Sequence, residues 1–193
     1  MENLRIFEED GTLIGVKERD DVHRDGDWHE TFQLWILEAG ERPRLHVQLR
    51  SDGKKDFPGL FDITAAGHLE DGERRLNGLR EVKEEIGLSL RFKDLVYLGV
   101  QQDEYQEGAF IDREFCHVHL YLYQGETYDV DPQETTGVWS MDLQEAEAMW
   151  KDGASAVVTD TATGEERVVT AADFAPHSAA YTTALLEGCR RLL

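Results

Sequence analysis

Residues 3–8 and 12–18 carry strand-like apolar residues on either side of Asp10-Gly11, a pair that favours a tight turn, and predict an N-terminal hairpin. A polar stretch from Glu18 to Asp27 follows and reads as a connection. Thr31 to Leu37 and Leu45 to Leu49 are the next strand candidates, separated by the turn-like run 39–43, and residues 51–59 form a loop rich in Asp, Gly and Lys. Helical periodicity begins at residue 73 and ends at Gly87. Leu95 to Val100 and Phe115 to Tyr123 are strand-like, with a loop expected at 103–113. Leu143 to Trp150 predicts a short helix, the valines at 157–158 and 168–169 a late hairpin, and residues 178–192 a closing helix. Strands interleaved with helices indicate an α/β or α+β sandwich. With 193 residues and no linker-like tract, one domain spanning 1–193 is the simplest organisation.

On a helix over 76–86, at 100° per residue, Glu81 and Glu85 lie about 40° apart, with Glu84 about 60° to the other side of Glu81. Leu76, Leu79, Val82 and Ile86 occupy the opposite face, and Gly87 is placed to end the helix. By periodicity alone this is the pattern of an ordinary amphipathic surface helix. Two details point further. Like charges at i,i+4 disfavour a helix, so the acidic cluster calls for a counter-charge. A glycine-containing turn from Gly67 to Gly72 leads into the helix and lets backbone carbonyls approach a ligand closely. Carboxylates together with carbonyls are the oxygen donors that Mg²⁺ or Mn²⁺ selects.

Charge sharpens this picture. Forty acidic against twenty basic residues give a net charge of −20. A field of that sign disfavours nucleic acid and anionic membranes as partners. It also repels phosphate esters, so an enzyme acting on them needs bound cations at its site. Cys116 and Cys189 have no metal-ligand spacing and read as reduced, partly buried thiols. The first residues lack an apolar signal segment and no run approaches the roughly 18 apolar residues of a membrane span, so a cytoplasmic location is expected.

The stretch Gly67 to Leu88 resembles the Nudix signature, which runs Gly, five residues, Glu, seven residues, then Arg-Glu-aliphatic-any-Glu-Glu-any-Gly-aliphatic. Gly67, Glu73, Arg80-Glu81-Val82, Glu84-Glu85, Gly87 and Leu88 fill its fixed positions, with six residues rather than seven between Glu73 and Arg80. The resemblance implies an α/β Nudix α/β/α sandwich, a mixed sheet between helices, with the N-terminal hairpin and C-terminal helix added. It implies that Glu81, Glu84, Glu85 and the Gly67 carbonyl bind Mg²⁺ or Mn²⁺. Arg80 would hold the acidic cluster by ion pairing, and Glu73, displaced by the shortened spacing, would complete the catalytic set. The implied reaction is cleavage of the pyrophosphate bond of a small nucleoside diphosphate-type substrate by metal-activated water.

Outside the box, Gln48 to Ser51, Phe57-Pro58-Gly59, Asp62 to His68 and Asp27 to Phe32 resemble the Nudix subgroup nearest to isopentenyl diphosphate isomerases. Those enzymes bind a metal through residues resembling His23, His29, His68, Asp112 and Glu114. By spacing alone, His23 and His29 define no ligand pair and read as locally hydrogen-bonded histidines. Where the isomerases carry a catalytic cysteine, before the Gly-His pair, this chain has Ala66.

Arg50, Lys54 and Lys55 precede the box in a glycine-containing loop and are candidates to receive the substrate's phosphates. Asp103, Glu104, Glu107 and Glu134 are candidates for an outside base or ligand. His117 and His119 share a strand face and read as packing residues, as do Trp28, Trp35 and Trp139. The expected partner is a small phosphorylated molecule, and a homodimer is compatible with everything above. Two other functions stay open: isomerisation of a prenyl diphosphate, which the missing cysteine disfavours, and a catalytically silent nucleotide-binding module, which the intact carboxylates disfavour.

Overall fold

A computed structural model describes residues 2–193. Its centre is β3 (Trp28–Glu38), buried along most of its length because it is covered on both faces. The period of two is strict there. Trp35 and Leu37 enter one core with Leu45, Val47, Leu120 and Trp139, while Phe32, Leu34 and Ile36 enter the opposite core with Leu69, Val82 and Ile86.

β3 pairs antiparallel with β4 (Arg44–Arg50) and β6 (Ala65–His68), and parallel with β8 (Phe110–Leu122) over ten register pairs, from Trp28↔Arg113 to Leu37↔Leu122. The sheet is therefore mixed. It extends through β9 (Thr135–Asp142), β10 (Ala156–Asp160) and β11 (Glu166–Val169) at one edge, and through the hairpin of β1 (Asn3–Phe7) and β2 (Leu13–Glu18) at the other. The short β5 (Phe61–Ile63) pairs with β4, and β7 (Val96–Glu107) pairs with β8. Helix α2 (Leu79–Ile86) covers one face. The other face carries α3 (Leu143–Asp152), whose N-cap Asp142 accepts from the Gln144 and Glu145 amides, and α4 (Ala179–Leu192), capped by Ser178. This is the expected α/β/α arrangement. Among the described residues no helix is long and apolar enough to cross a membrane.

Two expectations are corrected. The polar stretch after Glu18 contains a helix, α1 (Arg19–Asp25), closed by Gly26 in the left-handed region. Its single inward apolar residue, Val22, gave no periodicity to read, and the helix is held by packing on Leu4 and Ile6. The loop expected at 103–113 is instead the outer half of the β7–β8 hairpin, which turns only after Glu107 and carries charges on both faces. Strands β5, β6 and β9 also went unpredicted. The first two are shorter than the window an alternation needs.

Candidate functional site

Helix α2 presents Val82 and Ile86 to the core and its carboxylates to a cavity of about 1170 Å³. A 3-10 turn over Arg75–Gly78 spans the shortened segment before it, and Glu73 still reaches Arg80: the Arg80 Nε donates to Glu73 Oε1 at 2.9 Å. The same guanidinium lies 2.6 Å from Glu81 Oε1 and 3.6 Å from Glu84, and donates to the His68 carbonyl at 3.1 Å. Arg80 is thus the counter-charge that the acidic face required. It holds Glu73 below the usual carboxylate range against the opposing effect of burial.

Arg80 does not neutralise the cluster. Burial, only partly offset by Arg80 and reinforced by Glu84, raises Glu81 to about 7. Burial and then the Glu81 charge raise Glu85 to about 8. Glu85 Oε2 accepts from Gln48 Nε2 at 3.1 Å and from the Ala66 amide at 3.0 Å, which fixes the side chain against β6. Glu84 is largely exposed at the cavity rim. Gly67 is required by contact rather than by its backbone angle, because a Cβ there would lie 2.1 Å from Glu81 Oε1. Gly67→Ala should therefore displace Glu81, costing about 1–3 kcal/mol of stability and most of the activity. Urea unfolding beside turnover measurements checks this; wild-type values for both would show that the close approach is dispensable.

A second group of ligating side chains faces the same cavity. Register brings it together: His29 on β3 lies opposite Glu114 on β8, and Thr31 lies opposite His68 on β6. Helix α1 adds His23. Ligand atoms of His23, His29 and His68 lie within 4.8 Å of one another, as do those of His29, Asp112 and Glu114. Each imidazole is anchored through Nδ1: His23 to the Arg19 carbonyl at 2.8 Å, His29 to the Asp27 carbonyl at 3.1 Å, and His68 to Glu2 at 2.9 Å. A carbonyl partner makes Nδ1 the donor in His23 and His29, and in His29 it leaves the Nε2 lone pair free, the tautomer a metal ligand needs.

Burial, then the neighbouring His68, lowers His29 to about 3, so it is neutral, while burial, then Asp112, raises Glu114 to about 8. The buried His29 Nε2 and Asp112 Oδ1 have no hydrogen-bond partner. Three imidazoles and two carboxylates, with the His29 nitrogen and one Asp112 oxygen left unpartnered, fit a divalent transition cation. The locally bonded histidines expected from the sequence are thus found at Nδ1, and at His29 the buried Nε2 is left without a partner.

The cavity's basic residues are already engaged. Arg50 donates to Asp62 at 2.8 Å and to the Asp56 carbonyl, tying down the 51–59 loop. Lys54 pairs with Glu134, and Lys55 with Asp20 at 2.6 Å on the exposed rim. Of the outside acids, Glu134 lines the cavity near Glu81. Glu104 pairs with Arg113, and Glu107 accepts from the Tyr105 hydroxyl at the exposed end of the hairpin. Asp103 accepts from His177, whose Nδ1 is 2.8 Å away and whose Nε2 lies 3.7 Å from Asp62. Burial opposes its charge, but Asp103 and Asp62 prevail and push His177 up to about 10. His177, Arg19 and Glu2 line the cavity yet stand in no motif, so nothing in the sequence singled them out, and Asp62 was marked only as the start of a resembling segment. His117 is bound to Glu30 and Tyr97, His119 stacks on Phe32, and Trp35 and Trp139 are buried in the core, as their strand positions predicted.

Residues 8–161 match the NUDIX domain model. An uncharacterized Nudix hydrolase of Clostridium acetobutylicum is 37% identical over 147 residues, covering 75% of this chain and 71% of that protein. Nudix hydrolase 3 of Arabidopsis thaliana is 38% identical over 62% of this chain, which spans only 16% of that longer protein. The isopentenyl-diphosphate Delta-isomerase of Streptomyces coelicolor is 30% identical over 69% of this chain and 68% of its own length. Among solved structures, DR0079 from Deinococcus radiodurans superposes with a TM-score of 0.55 at 18% identity, covering 74% of this chain and 85% of that one, a likeness of fold. With the domain match spanning most of the chain and the glutamate box assembled on α2, the protein belongs to the Nudix family, as a hydrolase acting on phosphorus anhydrides.

Proposed function

We propose that the chain hydrolyses the diphosphate linkage of a small nucleoside diphosphate-type molecule with the help of Mg²⁺ or Mn²⁺. The observation that carries this is the pair Glu81 and Glu85, carboxylates held together in a cavity wall with both pKa values pushed to neutrality or above. Only partly compensated by Arg80, such a pair is a site for an external cation. Glu81, Glu84, Glu85 and the Gly67 carbonyl would hold Mg²⁺ or Mn²⁺, and the five-residue cluster around His29 a second divalent transition cation. Bound there, the cations offset phosphate charge and lower the pKa of coordinated water. The protein's own part is positioning. Arg80 orders Glu73 and Glu81, Gln48 and the Ala66 amide orient Glu85, and Lys54 on the rim can exchange Glu134 for a substrate phosphate.

The histidine cluster also favours a second reading, isomerisation of a prenyl diphosphate. Against it, Ala66 faces the cavity, and among the described residues no cysteine lines it. Cys116 is buried and donates to Glu114. The test is a panel of nucleoside diphosphates, nucleotide sugars and isopentenyl diphosphate in ¹⁸O-water with Mg²⁺ and Mn²⁺. Label should enter a phosphate product from a nucleotide-like member, with no isomer formed. Catalytic production of dimethylallyl diphosphate with no phosphate release from any member overturns the hydrolase reading.

A further inference from the structure

Glu114 is wired to the C-terminal helix by a hydrogen-bond chain whose direction is fixed. Trp35 Nε1, which can only donate, gives its proton to the Tyr181 hydroxyl at 2.8 Å. The Tyr181 O–H must then donate onward, and it does so to Gln33 Oε1 at 2.6 Å. With its carbonyl oxygen committed, the Gln33 amide turns its NH₂ to Glu114 Oε2 at 3.0 Å. A flipped amide would set Oε1 against the carboxylate, two acceptors face to face, and leave the tyrosine proton without an acceptor.

Glu114 Oε2 also accepts from Thr31 Oγ1 at 3.1 Å and Cys116 Sγ at 3.3 Å. Three donors saturate one oxygen, and among the described residues Oε1 receives none, which leaves it as the ligating atom. Tyr181 is itself held by the His177 ring stacked on it at 4.4 Å, and His177 by Asp103. Trp35 and Tyr181 are among the largest fully buried side chains.

We propose that Tyr181 and Gln33 are positioning residues for Glu114 as a cation ligand, which makes the C-terminal helix, beyond the matched residues 8–161, a working part of the centre. The proposal rests on the reading of the His29 cluster as a cation site. Removing the Tyr181 hydroxyl frees the Gln33 amide to rotate, and with it the orientation of Glu114.

The experiment is a Co²⁺ titration of the whole protein in excess Mg²⁺, which occupies the carboxylate site on α2, followed by visible absorption and equilibrium dialysis. Tyr181→Phe should weaken Co²⁺ binding about 10-fold or more, the usual loss when an outer partner of a ligand is removed, and shift the Co²⁺ band. Gln33→Leu should do the same, and the double variant should be no worse than either alone. His29→Ala, which removes a ligand, is the control. A Tyr181→Phe protein that melts lower but keeps the wild-type Co²⁺ affinity and band has lost only packing, and that overturns the proposal. Absence of a His29-dependent Co²⁺ band in the unsubstituted protein overturns the cation-site reading, and this proposal with it.

Discussion

Glu85→Gln should lower kcat/KM by more than about a hundredfold without unfolding the protein. Loss of an outer partner of a ligand costs about 10- to 100-fold, and Glu85 is a ligand candidate in its own right. The amide keeps the shape of the carboxylate and keeps one oxygen for the Gln48 and Ala66 donors, so the side chain stays in place while its charge is gone. Glu81→Gln should behave alike, with some loss of order at Arg80, its neighbour at 2.6 Å. Glu73→Gln should be milder, because Glu73 serves the cluster through Arg80 and an amide oxygen can still accept from the guanidinium. Steady-state kinetics on one hydrolysed substrate ranks the three. If Glu73→Gln proves the most damaging, the roles assigned to these glutamates are wrong.

That ranking was only half legible in the sequence, and the reason is geometric. Glu81, Glu84 and Glu85 share a helix, so their mutual placement follows from the fixed angle per residue alone. The central strand was equally plain, since Leu34 to Leu37 is apolar on both faces. What the sequence could not show is whatever depends on the meeting of separate elements. Arg50 reads as a free cation and is in fact tied to Asp62 across β4 and β5. His23, His29, His68, Asp112 and Glu114 come from α1, β3, β6 and β8, and only the parallel register of β3 with β8 places His29 beside Glu114. One of those elements, α1, has too little apolar periodicity to be recognised, and part of the β8 segment bearing the two acids read as loop. Their convergence was reachable only by likeness to the isomerases. The link from Tyr181 to Gln33 spans 148 positions of chain and had no local signature at all.

Exhaustive chelation should abolish hydrolysis, and Mg²⁺ or Mn²⁺ should restore it; undiminished turnover without cations would rule out the mechanism. The same stripped protein carries a second expected result, a loss of thermal stability as pH rises from about 6.5 to 8. Burial raises Glu81 to about 7 and Glu85 to about 8, and Glu114 also to about 8, from an unfolded value near 4.5. Over that interval the native state holds protons on these groups that the unfolded chain has already released, so stability falls as pH rises through their native values. His177 acts with the same sign. Held at about 10 by Asp103 and Asp62, its contribution is complete below its unfolded value of 6.5 and is lost as pH climbs toward 10. His29, lowered to about 3, destabilises only below 6.5 and so stands outside the interval. On the proposed function, cations that bind the ionised glutamates displace their protons, so affinity should increase with pH and the melting temperature of the loaded protein should hold steady or rise where that of the stripped protein falls. Melting curves at closely spaced pH values, with chelator and with Mn²⁺, measure both slopes. Glu85→Gln should flatten the stripped slope by removing one of its three glutamate contributions. Parallel slopes with and without Mn²⁺ would mean that the cations do not bind at these carboxylates.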